Sequence, residues 1–254
     1  MSHLSRRLVA TAVCAVCAVC VAALAAAAPA APAADHTQRM DIGAELVHQQ
    51  PGGKPWIVNL GIGAEMGMAD GSVPPPIEHM RFSFTRGAKV HPEAFPTCTQ
   101  QVLHDAGPNG CPKGSRLGEG KASATALETV FPATIQVFNG PATKAGRKIL
   151  IYARALGTVV IPLEGTLKKS SGQYGWVLDV PVQKIQIVAD QFASITSFSV
   201  TVGGIGRKGV PFIEAPTSCA KPGWPFLGEF RYADGATGTS SALISCLLKA
   251  TNND

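Results

Sequence analysis

A chain of 254 residues with 22 lysines and arginines against 17 acids has a formal charge of +5, and its basic residues are scattered singly or in doublets. Composition therefore gives no support to binding of nucleic acid or another polyanion. The length suits one large domain or two small ones, with enough chain to bury a sizeable core.

The first predicted element is a leader over residues 1–33. Arg6 and Arg7, with no acid nearby, precede an uncharged run from Leu8 to Ala28, and alanine-proline repeats follow before Asp35. Basic, apolar and small-residue segments in that order read as a secretory signal peptide, with the cut expected after Ala33. A retained anchor competes, since about 20 apolar residues suffice to span a bilayer, but this run is alanine-rich and weakly hydrophobic. Val13, Val16 and Val19 stand before Cys14, Cys17 and Cys20, where a lipoprotein anchor needs Gly or Ala. Removing the leader takes away Arg6 and Arg7, leaving 20 basic against 17 acidic residues, a net +3. The product is expected to be secreted or held at the cell envelope, with no stable membrane insertion after cleavage.

Residues 34–74 read as an N-terminal extension joined to the main sheet, and residues 75–254 as a β-sandwich domain. Pro74-Pro75-Pro76 is a stiff loop within one body, because residues 35–72 hold too few large apolar side chains for a core of their own. Glycine (27) and proline (19) divide the rest into short runs rich in Val, Ile, Thr and aromatics. Met80, Phe82 and Phe84 alternate with Arg81, Ser83 and Thr85, so one face enters a core while the other meets water. The same pattern holds at Trp176, Leu178 and Val180, at Ile185 and Ile187, and at Ile195 followed by Phe198, Val200 and Val202. Further strands are predicted over residues 40–47, 56–62, 122–128, 134–138, 148–155, 158–167, 225–232 and 240–249. About a dozen strands predict an all-β fold, an antiparallel sandwich of jelly-roll or Ig-like type.

One short helix is predicted near residues 98–106, with Thr97 or Thr99 as cap and Gly107-Pro108 as stop. Asp70-Gly71 and Asp234-Gly235 supply tight turns, Ser170-Ser171-Gly172 a hairpin, and Asn139-Gly140-Pro141 the end of a strand.

Export makes the cysteines outside the leader disulfides first and metal ligands second. Cys98, Cys111, Cys219 and Cys246 allow three pairings. The intervening Gly107-Pro108-Asn109-Gly110 favours Cys98 with Cys111, which leaves Cys219 with Cys246. A zinc site of His91, Cys98, His104 and Cys111 has the right ligand types, but lacks the close ligand pairs usual in structural sites. Three segments, Phe95-Pro96-Thr97-Cys98, Cys111-Pro112-Lys113-Gly114-Ser115-Arg116-Leu117-Gly118 and Pro216-Thr217-Ser218-Cys219 with Trp224 and Phe226 following, carry a resemblance. Over about residues 75–248 the chain resembles a group of secreted actinobacterial β-rich proteins. The resemblance implies an exported, disulfide-bonded β domain and brings with it no activity and no functional residues.

Linear catalytic motifs are missing. Gly114-Ser115-Arg116-Leu117-Gly118 has the letters of a nucleophile elbow in the wrong register, beside a predicted disulfide. Gly203-Gly204-Ile205-Gly206-Arg207-Lys208-Gly209 lacks the Gly-Lys-Ser/Thr order and the helix of a phosphate loop, and reads as a hairpin. Glu164, Asp179, Asp190, Glu214 and Glu229 offer carboxylates for a glycosidase pair, yet read first as outward strand acids. No cofactor motif occurs. Trp224, flanked by prolines, is a candidate ligand platform, or else a cover for the second disulfide.

The leading reading is a non-catalytic structural or binding module of the cell envelope or extracellular space, its partner a glycan or a protein. The alternative is an extracellular hydrolase with a site assembled from strand ends, using His79, His91 or His104 as base.

Overall fold

The structure is a computed structural model in which residues 35–48, 57–219 and 221–245 are described. The leader, its cut, Trp56 and Cys246 lie outside the described residues.

Strands β1 (His36–His48) and β2 (Ile57–Met68) pair antiparallel, with Met40 opposite Ala64. After the proline loop come β3 (Ile77–Thr85) and the short β4 (Lys89–Val90). Helix α1 (Gln100–Ala106) follows, capped by Thr99, whose Oγ1 accepts from the Val102 amide at 3.2 Å. Gly107, with φ of 65°, ends it. Five consecutive strands then form a meander: β5 (Arg116–Ala126), β6 (Thr129–Thr143), β7 (Gly146–Ala155), β8 (Val159–Lys169) and β9 (Tyr174–Pro181). The chain continues through β10 (Ile185–Val188), β11 (Gln191–Val202), β12 (Ile213–Glu214), β13 (Gly223–Tyr232) and β14 (Thr237–Ser245).

The described residues thus give a mostly β protein with one short α-helix. All these strands join one antiparallel sheet, ordered β14-β13-β3-β9-β8-β7-β6-β5-β11-β2-β12-β4, with β1 on β2 and β10 on β11. The expected sandwich would divide them between two sheets, whereas here the ladder runs unbroken. It is able to do so because it bends at bulges, where one strand carries an extra residue and twist increases. Thr196 is such a residue in β11, since Ile195 faces Ala124 and Ser197 faces Ser123. Leu117 in β5 and Gly175 in β9 are others. Gly118 and Gly120 allow the tight approach of β5 to β11: a Cβ at either would run into the carbonyl of Thr201 or Ser199.

Bending brings the two ends of the sheet together. The Met40 amide donates to Ser240 Oγ at 2.8 Å, and Tyr232 donates its hydroxyl to Gln38 Oε1 at 3.1 Å. His36 Nε2 lies 2.9 Å from Asp234 Oδ2. No ladder joins β1 to β14 among the described residues, so the sheet is rolled but not closed. Opposite walls meet inside, where Phe82 of β3 and Phe198 of β11 pack edge to face at 5.8 Å.

Outside the roll, α1 covers Phe138, Leu150 and Tyr152 of β6 and β7 with Leu103 and the Cys98–Cys111 disulfide. Asn139 anchors this cover. Fully buried, it donates through Nδ2 to the carbonyls of Pro92, Phe95 and Pro96 at 2.9, 3.1 and 3.2 Å. The predicted stop at Asn139-Gly140-Pro141 is corrected accordingly. β6 runs on to Thr143 across an irregularity between Asn139 and Ala142, because the side chain of Asn139 is spent on the neighbouring loop rather than on a turn.

Candidate functional site

Alternation decides which side chains look into the roll. At one end the interior is lined by large groups, Val137, Ile149, Leu167, Leu178 and Phe212, the last edge to face with Phe95 at 5.4 Å. At the other end the inward positions of β5, β6 and β7 hold alanines, namely Ala122, Ala124, Ala133, Ala153 and Ala155. A methyl group reaches less far across than a leucine, so space remains between the walls. The result is a cavity of about 180 Å³, in whose lining Ser123 alone carries a polar side chain.

Such a surface has no groups to polarise a bond, hold a metal or relay a proton. It can enclose an apolar group, because a polar one would lose its hydrogen bonds to water without replacement. An apolar cavity of roughly 150 Å³ is large enough to stay dry and take up benzene, so a ring or the end of an acyl chain fits this one.

The sequence candidates for chemistry do not converge on this cavity or on each other. His91 bonds Glu93 at 3.1 Å and lies 3.5 Å from Glu214. His104 is exposed on α1 beside Asp105 at 2.8 Å, and His79 sits in β3 opposite Pro181. Neither His91 nor His104 is hydrogen-bonded to a serine, threonine or cysteine among the described residues. The acids are held on outer faces and turns. Glu164 pairs with Lys148 at 2.7 Å, Asp179 with Lys168 at 2.7 Å and with Arg81 at 3.5 Å, and Glu229 with Arg81 at 3.7 Å. Glu214 faces Lys89 at 3.8 Å, while Asp190 occupies the β10–β11 turn with φ of 59°. Ser115 is fully buried and donates to the Pro112 carbonyl at 2.7 Å, a structural bond.

Cys98 and Cys111 are joined, so neither offers a thiolate to zinc, and no metal-holding cluster occurs among the described residues. Cys219 is also disulfide-bonded, while its expected partner Cys246 is not among the described residues. Trp224 does not serve as an open platform. It is 9% exposed, lies in the core and donates Nε1–H to the Ser218 carbonyl at 3.0 Å, one residue from Cys219. Residues 203–209 form a tight loop held by an isolated bridge between Ile205 and Pro211.

Sequence reasoning missed the group at the seam. His36 stacks on Tyr232 with ring centroids 4.0 Å apart and bonds Asp234, tying β1 to the β13–β14 turn. Burial and then the Asp234 charge push the Tyr232 phenol up to about 12. Burial resists ionisation of Asp234 too, but the Ala236 amide and the His36 ring outweigh it and hold this carboxyl below its ordinary range. Only spatial proximity unites these residues, and β1 carries no signal that it meets β14. The cavity did leave a signal, alanines recurring at every second position where neighbouring strands carry Ile, Leu or Phe.

No family model matches this chain, and no curated protein or solved structure matches it either.

Proposed function

We propose that the protein is an exported, non-catalytic binding module that encloses the apolar part of a small amphiphile inside its rolled sheet. One observation carries the reading, the cavity of about 180 Å³ bounded by apolar walls and widened by alanines on three adjacent strands. Export is argued from the leader and from the disulfide, which persists in oxidising compartments. In fold type the module is a flattened roll: at the Phe82–Phe198 contact its walls pack as the layers of a sandwich do, and at the alanine end they part. The hydrolase alternative has less behind it, since neither His91 nor His104 is hydrogen-bonded to a serine, threonine or cysteine among the described residues.

The test is native mass spectrometry of protein recovered without detergent from the culture medium, followed by titration with a fluorescent medium-chain fatty acid. We expect a single apolar adduct or saturable uptake at one site, abolished by Ala153→Phe, which fills the space. Apolar-free protein that takes up no probe, together with an Ala153→Phe variant more stable than the parent, would show the cavity to be a packing void.

A further inference from the structure

Three hairpin tips stand at the alanine end of the roll. β5, β6, β7 and β8 are consecutive antiparallel neighbours, so the β5–β6 and β7–β8 turns project from the same end. The start of β11 lies beside the end of β5, with Ser194 opposite Thr125, which places the β10–β11 turn there as well. Each tip exposes large apolar side chains: Leu127 and Val130 on the first, Leu156 and Val159 on the second, Val188 and Phe192 on the third. Among the described residues, Ile205 and Leu243 are the exposed large apolar side chains that lie away from this end.

Two of these residues sit where local backbone preference disfavours them. Leu127 and Leu156 have φ of 50° and 51°, and the residues after them, Glu128 and Gly157, are also left-handed. Consecutive turn positions with both angles positive, as in the two-residue β5–β6 loop and the first two residues of the three-residue β7–β8 loop, select Asn-Gly or Asp-Gly, because a Cβ crowds the backbone there. A leucine in that conformation, 58% exposed at one tip and 63% at the other, gains little from packing in the folded chain.

We infer that the three tips dock the protein on a lipid surface with uncharged or zwitterionic headgroups, the leucines entering the boundary between headgroups and acyl chains. Charge argues for that surface over an anionic one. Glu128 and Asp190 flank the tips with Arg154, and Lys184 faces Glu78 at 3.4 Å, so no basic cluster is present to seek acidic lipid. Continuity with the cavity argues for lipid over a protein partner. Ala124, Phe131, Ala155, Ile161 and Ile195 line the cavity and lie within a few residues of the tips, so the docked end is also where an acyl chain would pass between bilayer and interior. That passage rests on the binding reading above, while the docking rests on the tips themselves.

Co-sedimentation of the purified protein with phosphatidylcholine vesicles tests the docking. The parent is expected to bind with an affinity that changes little with salt, since burial rather than charge drives it. Leu127→Asn and Leu156→Asn are expected each to weaken binding about tenfold, the partitioning of one leucine. Both variants should melt no lower than the parent, because asparagine accepts the left-handed turn. Ala153→Phe should keep vesicle binding while losing probe uptake, so failure of the cavity reading and failure of docking give different results. Absence of vesicle binding by the parent, or equal binding by the asparagine variants, would overturn the inference. So would a dimer in light scattering that dissociates in those variants, which would make a second copy the occupant.

Discussion

At the scale of single residues, Tyr232 shows how a polar group is made to serve in the core. Its ring is fully buried against His36, and its hydroxyl is satisfied by Gln38, so the seam gains apolar burial without stranding a donor. A phenolate there would lose solvation and face the Asp234 carboxylate, so the phenol is pushed up to about 12. An unfolded tyrosine ionises near 10. The sign of the linkage follows: the folded state holds its proton more tightly, so this contribution to stability is complete below about pH 10 and is lost as pH rises toward 12. Denaturation curves across that range should show a fall that Tyr232→Phe lacks. Asp234 acts in the opposite sense. Its lowered pKa stabilises the seam above the ordinary carboxylate range near 4, and the benefit fades as pH falls through that range.

At the scale of elements, α1 has seven residues and buries Leu103 alone, too little to hold a helix by its own propensity. It stays because the Asn139 side chain holds the segment before it to β6, the Thr99 cap satisfies its first turn and the disulfide ties its two flanks together. Closing the 13-residue separation between Cys98 and Cys111 is worth about 3 kcal/mol in the chain-entropy model. Cys98→Ser with Cys111→Ser should therefore lower unfolding free energy by about that amount in urea titrations. Reductant should lower the parent by about that amount more than the variant, since both also lose the Cys219 bridge. This helix, its cap and its stop were legible because each is a local signal. So were most strands, through alternation. The phase change in β11, from Ile195 to Phe198, was visible as well, and the bulge at Thr196 is its cause. The β5–β6 turn was not legible: Ala126-Leu127-Glu128-Thr129 contains no turn residue, so residues 122–128 read as uninterrupted strand. That failure falls where the backbone is strained and the side chain exposed, as expected of positions selected for something other than folding.

At the scale of the whole molecule, pairing is decided by contacts far apart in sequence. β3 lies between β9 and β13, and β11 between β2 and β5, so alternation announces strands without saying whether they form one rolled sheet or two stacked ones. The alanines on β5, β6 and β7 were visible in the sequence, but they leave space only once those strands curve around a common interior. The unclosed seam has a measurable consequence. The Met40 amide points away from β2, toward Ser240, and by the period of two the amides of Gln38 and Ile42 point the same way. With no ladder to β14, those two amides meet no strand partner among the described residues, whereas the amides of Arg39, Asp41 and Gly43 face β2. Hydrogen exchange along β1 is therefore expected to alternate, fast at residues 38 and 42 and slow at 39, 41 and 43, with Met40 protected through Ser240 Oγ. Ser240→Ala should move Met40 into the fast set and leave the others unchanged. Uniform protection along β1 would mean that a ladder closes the sheet into a barrel, and the seam described above would then be wrong.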